Sequence, residues 1–182
     1  MRTHSKALGP SLLLALILSA CSPAENWRDV GFEGLTLKAQ LPCKPDRTTR
    51  SVPLGGVTVD LQVVGCESGT AMVAVMTAAL PAGTDIGAVM TGWQKATLAN
   101  ARVAQPLAAG QQQVWHRPGQ IPLPSSVRVQ APGQRVNGEP VDMDAVWGAL
   151  AQGEQVRLVH AVVYEPKRSH QLANTLFESI NP

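Results

Sequence analysis

Arg47–Val64 reads RTTRSVPLGGVTVDLQVV, two strand-forming segments on either side of Gly55-Gly56. Val57, Val59, Leu61 and Val63 alternate with Thr58, Asp60 and Gln62, the period of a half-buried strand. In the preceding segment, Pro53 cannot donate a ladder hydrogen bond, which assigns that strand to a sheet edge. Gly-Gly between two such segments reads as a two-residue hairpin turn. With Leu54 opposite Val57, Cys66 faces Pro45, two positions from Cys43. A modest bend of the chain would then bring the two sulfurs within reach of a bridge, which holds its Cα atoms about 4.4–6.8 Å apart.

On the amino-terminal side, Leu35, Leu37, Ala39 and Leu41 alternate against polar neighbours and predict a first strand over 35–41, ended by Pro42. On the carboxy-terminal side, Met72–Leu80 is apolar nearly throughout, which predicts a strand covered on both faces. Gly65-Cys66-Glu67-Ser68-Gly69 superficially resembles a nucleophile elbow, but its serine stands fourth rather than third, and the segment reads as a turn between strands. After Pro81-Ala82-Gly83 the period lengthens: Ile86, Val89, Met90, Trp93 and Thr97 mark one stripe of a helix over 85–100, with Thr84 as its cap. Arg102–Pro106 and Gln112–His116 are candidate short strands, followed by a Pro-rich surface loop at 117–125. Val127–Ala131, Val141–Leu150 and Gln155–Tyr164 read as strands, although Met143, Val146 and Leu150 would also suit a helix. Leu172, Ala173, Leu176, Phe177 and Ile180 form a terminal helical stripe behind Ser169, its expected cap. Strands dominate, so the fold class is α+β, a mainly antiparallel β-sheet flanked by helices.

The chain has 182 residues, 45% apolar and 15% charged, which excludes a disordered or multi-span membrane protein. Of its 15 Lys and Arg, two (Arg2 and Lys6) precede residue 20, and the rest balance the 13 Asp and Glu. That balance argues against a nucleic-acid footprint. Arg2, His4 and Lys6 followed by the apolar run Leu12–Leu18 have the layout of a signal peptide, and the run is too short for a stable membrane span.

Leu18-Ser19-Ala20-Cys21 resembles the lipobox of bacterial lipoproteins. The resemblance implies cleavage before Cys21, acyl groups on that cysteine and attachment to a membrane facing the periplasm; the alternative is ordinary secretion with Cys21 near the cleavage site. Ser22 after the cysteine implies, within that family, the outer membrane rather than the inner. The expected organisation is therefore a signal peptide over 1–20, a lipidated tether over 21–26 and one globular domain over 27–182. If lipidation consumes Cys21, Cys43 and Cys66 are left as a pair that an oxidising compartment would join. No Cys-x-x-Cys supports a metal site instead.

The order of elements also resembles the PsbP-like domain, an α/β/α sandwich, and a set of uncharacterised proteobacterial lipoproteins. The residues that carry this are the lipobox, Leu41-Pro42-Cys43-Lys44-Pro45, Val64-Gly65-Cys66 and Thr175-Leu176-Phe177-Glu178-Ser179. The resemblance covers most of 21–182 and implies an accessory or scaffold role rather than a reaction.

Four positions are weighed for chemistry. His160 shares a strand face with Val156, Leu158, Val162 and Tyr164 and is expected as a buried imidazole satisfied by a backbone carbonyl. Asp142 and Asp144 fall on one face of their strand; they are expected to be solvated, with calcium chelation as the rival reading. Trp93 and Trp147 read as core, whereas Trp115, beside the Pro-rich loop, is the candidate recognition residue. No catalytic triad, metal box or cofactor motif is read from the sequence. The expected function is a structural, accessory or protein-binding envelope domain with an envelope protein as partner. The alternative is a small-molecule-binding or hydrolytic domain whose pocket gathers His160 and Asp142/Asp144.

Overall fold

The computed structural model describes residues 25–181; the lipobox and Cys21 lie outside them. The Gly55-Gly56 hairpin forms as expected, joining β3 (Asp46–Leu54) to β4 (Val57–Ser68) with Leu54 opposite Val57. Both turn glycines have positive φ, +54° and +93°, as the mirror-image turns of tight hairpins require. β5 (Ala71–Ala79) follows after a turn at Gly69-Thr70, so the elbow-like segment is strand and turn. The chain then crosses to α1 (Ile86–Asn100), β6 (Gln112–Val114), β7 (Val127–Gln134), β8 (Pro140–Gln152), β9 (Gln155–Glu165) and α2 (Gln171–Ser179). Seven strands form one antiparallel sheet in the order β3-β4-β5-β9-β8-β7-β6. β3 is at an edge, as Pro53 demands.

Three layers result. Val89, Met90, Trp93 and Leu98 of α1 pack on one sheet face, against Leu54, Ala78, Met143, Trp147, Leu158 and Val162. The other face is covered by Leu172, Ala173, Leu176 and Phe177 of α2, together with a separate two-stranded ribbon, β1 (Arg28–Gly31) and β2 (Lys38–Leu41). Val73, Val75, Val146, Val159, Ala161 and Val163 lie beneath that second cover. Cover on both sides explains why β8 is strand: its alternate residues feed both cores, which a single helical stripe would not.

Several expectations are corrected. The predicted first strand shortens to β2 and leaves the main sheet, pairing instead with β1, whose one buried residue is Val30. Arg102–Pro106 is irregular chain leaving α1 rather than strand. The cap of α1 is Asp85, whose carboxylate accepts from the Ala88 N–H at 3.0 Å; the Thr84 hydroxyl bonds backward to the Pro81 carbonyl. The cap position of α2 is His170 at φ +60°, while Ser169 donates to Glu165.

The hairpin turn also seats α1. A Cβ on Gly55 would lie 2.5 Å from the Val89 Cα, and one on Gly92 would lie 2.7 Å from the Gly55 Cα, so two glycines allow backbone to meet backbone. Beside Gly56 a Cβ would meet nothing within 4 Å. Gly55→Ala combines left-handed strain with this clash and is expected to cost about 2 kcal/mol more than Gly56→Ala, which carries strain alone. Paired urea denaturation curves check this.

Candidate functional site

Asp144 lies on the α2 face of the sheet, 2% exposed. Arg128 reaches it from β7 in a two-pronged contact, Nε to Oδ1 at 2.8 Å and Nη2 to Oδ2 at 2.6 Å. Gln130 Nε2 donates to the same Oδ2 at 2.7 Å and lies 3.3 Å from His170 Nδ1. Arg128 also donates to Asn174 Oδ1 of α2 at 2.8 Å, and its guanidinium stands 5.1 Å from the centre of the Phe177 ring. One charged fork thus ties two strands to the helix above them. Planar guanidinium against carboxylate is the geometry that makes such a pair directional.

Two further carboxylates hold the chain that leads into α2. Asp142 accepts from the Arg168 backbone N–H at 3.0 Å and from its guanidinium at 3.1 Å. Glu165 accepts from the Ser169 N–H at 3.3 Å and its hydroxyl at 3.1 Å. His170 makes no side-chain cap, so these acids supply negative charge near the helix start, where the helix dipole favours it. Asp142 and Asp144 do share a face, but neither is simply solvated: cationic and amide donors from Arg128, Gln130 and Arg168 occupy their oxygens. The expectation of a solvated face is corrected, because a face that looks polar in one strand is roofed by α2. Among the described residues no group of three or more His, Cys, Asp or Glu is arranged to hold a metal ion.

His160 is 1% exposed and lies on the opposite, α1 face. Its Nδ1 donates to the Val146 carbonyl at 2.9 Å, the buried imidazole satisfied by backbone that was expected. The ring stacks on Trp147, with centroids 4.4 Å apart and planes 4° from parallel, and meets Trp93 edge-on at 5.2 Å. Burial pushes its pKa down to about 4, against the smaller upward pull of the Val146 carbonyl. At neutral pH it is therefore an uncharged core group. The alternative pocket combining His160 with Asp142/Asp144 is ruled out by strand parity, which sets them on opposite sides of the sheet.

Trp115 is also corrected. It is 8% exposed and packs over Gly148, where an added Cβ would come within 2.9 Å of the indole. A missing side chain on β8 makes room for it, so the ring fills a core rather than offering a platform. Cys43 and Cys66 form the expected disulfide, with Cα atoms 6.0 Å apart. His116 is exposed.

The Arg128–Asp144 fork was missed by sequence reasoning, although a signal existed. Asn137-Gly138 sits in a three-residue turn, Val136-Asn137-Gly138, closed by Arg135 N–H to the Glu139 carbonyl at 2.8 Å, with Gly138 at φ +87°. Recognising that turn sets Gln130 opposite Asp144 and Arg128 two pairs away, on the same face. Comparison with protein-family models, curated proteins and solved structures finds no match to the chain.

Two outcomes follow from this arrangement. Arg128→Ala strands a buried carboxylate and is expected to lower unfolding free energy by about 3 kcal/mol, with Arg128→Lys recovering only part because a point charge cannot fork. Denaturant titration measures this, and hydrogen exchange in α2 should rise in parallel. For His160, the unfolded chain takes up a proton near the ordinary 6.5 while the folded chain resists until about 4. Stability is therefore complete above pH 6.5 and is lost as pH falls from there to about 4, by roughly 3 kcal/mol. His160→Phe should remove that component of the slope, whatever it does to stability at pH 7; a slope unchanged from the parent would refute the assignment.

Proposed function

We propose that the protein is a lipid-anchored domain of the bacterial cell envelope, tethered by acyl groups on Cys21, that serves as a binding or accessory module. The observation that carries this reading is Leu18-Ser19-Ala20-Cys21 at the end of the apolar run Leu12–Leu18. The cysteine pairing supports it: Cys43 and Cys66 are joined, so the chain's third cysteine, Cys21, is the one left for modification. A disulfide also suits an oxidising compartment such as the periplasm. Ser22 favours the outer membrane.

A non-catalytic role is supported by how the candidate groups are spent. Asp144, Asp142 and Glu165 bind the strands and the approach to α2, and His160 is enclosed between Trp147 and Trp93. Helix, sheet and helix-plus-ribbon in three layers are in keeping with a PsbP-like sandwich. The partner is an envelope protein, recognised through the domain surface while the acyl chains keep it at the membrane.

Intact mass of the protein purified from detergent-solubilised membranes tests this directly. The expected species begins at Cys21, carries acyl groups, and has Cys43 and Cys66 open to alkylation only after reduction. Cys21→Ser should give a chain without acyl groups. A wild-type chain of unmodified mass would overturn the anchor and with it the proposed role.

A further inference from the structure

Two large apolar side chains stand exposed at one end of the sheet: Met72, 40% exposed at the start of β5, and Val136, 94% exposed at the tip of the β7–β8 turn. They border a shallow depression of about 370 Å³ that also involves Ala101 and Tyr164. The Arg135 guanidinium bonds to the Thr70 carbonyl and so joins the β7–β8 turn to the β4–β5 turn.

The amino-terminal end of the described chain lies at this same end. The Asn26 N–H donates to the Pro42 carbonyl at 2.8 Å; the next residue, Cys43, is bridged to Cys66; and Cys66 directly precedes Glu67, the cross-strand partner of Met72. From Cys21 to Glu25 there are only four residue steps, at most about 14 Å of extended chain. On the reading of Cys21 as a lipid anchor, on which this inference rests, this is the end of the sheet nearest the bilayer attachment. Charge at this end is mixed, Lys44, Arg102, Arg135 and Lys167 against Asp46, Glu67 and Glu139, so an apolar contact rather than an electrostatic one is what the surface offers.

We propose that this end of the sheet rests on the membrane, with Met72 and Val136 seated in the interfacial layer of the lipid bilayer. Two side chains of this size hold a soluble domain weakly, but an anchored one is already at high local concentration, so a weak contact suffices to orient it. The opposite end, with the β3–β4 turn and the β8–β9 turn, then faces away from the membrane and is left open to a partner.

The test uses full-length acylated protein reconstituted in phosphatidylcholine vesicles containing a small fraction of nitroxide-labelled lipid. A fluorophore is placed at Asn137→Cys, beside Val136, or at Gln113→Cys on exposed β6 as a control. Acylation is verified by mass in every sample. Quenching at 137 is expected to exceed that at 113 on the order of threefold, to be insensitive to salt, and to fall to the control level in Met72→Ser/Val136→Ser. Equal quenching at the two sites in verified acylated protein would overturn the docking while leaving the anchor intact. Protein that lacks acyl groups would overturn both. Shielding at 137 that rises with protein concentration in detergent, without vesicles, would identify a second copy as the occupant and overturn the membrane contact.

Discussion

A sheet whose inner strands are apolar on both faces has to be covered twice, and that requirement organises everything else in this fold. β5, β9 and β8 place valines, alanines and leucines on alternate sides, so no rotation of the strands could leave one face to water. One cover is the single helix α1. The other is a composite of α2 and the β1–β2 ribbon, each too small to roof the face alone. The carboxy-terminal end of the chain is held to the ribbon by the bridge between Lys38 and Asn181, with backbone bonds of 2.9 Å in both directions. Covering the second face therefore ties the chain that follows α2 to the ribbon beside it.

The two covers are attached by different physics. α1 meets the sheet through dry contacts, with Trp93 against His160 and the glycine contact at Gly55 and Gly92. α2 is joined partly by charge, since Arg128 reaches Asp144 below and Asn174 above. A buried ion pair of this kind returns little net stability relative to an apolar pair of the same shape, because both ions had to leave water. What it does supply is direction: only one placement of α2 satisfies Arg128 and Asn174 together with the acids beneath its first turn. The apolar stripe of α2 decides that the helix lies on the sheet, and the polar groups decide where.

How much of this was legible in the sequence depended on whether a signal was local. The Gly55-Gly56 hairpin, its register, the Cys43–Cys66 bridge that the register implies, α1 to within a residue, and the core position of His160 all rest on spacing within one or two elements. β1 was missed because four residues with one buried valine carry no period. The ribbon's departure from the main sheet was missed for a related reason: alternation shows that one face of β2 is buried, not what buries it. The same blindness affected Asp142 and Asp144. Parity correctly put them on one face, but the roof over that face comes from a helix some thirty residues later. Trp115 depended on an absence, the missing side chain at Gly148 on another strand, which no local pattern announces.

The disulfide has a mechanical consequence. Tension applied at the amino-terminal side of the domain and resisted within the sheet would first meet β1, which is held by the ladder to β2 and the bond from Asn26 to Pro42. Those contacts, and then the Lys38–Asn181 bridge and the bond from the Gln40 N–H to the Ser179 hydroxyl that hold β2, can open one after another, paying out at most about 60 Å of chain up to Cys43. There the load passes through sulfur to Cys66 on β4, so the intervening β3–β4 hairpin carries none of it. The bridge therefore sets a stop on extension, and in reduced protein the same pull would peel edge strand β3 next.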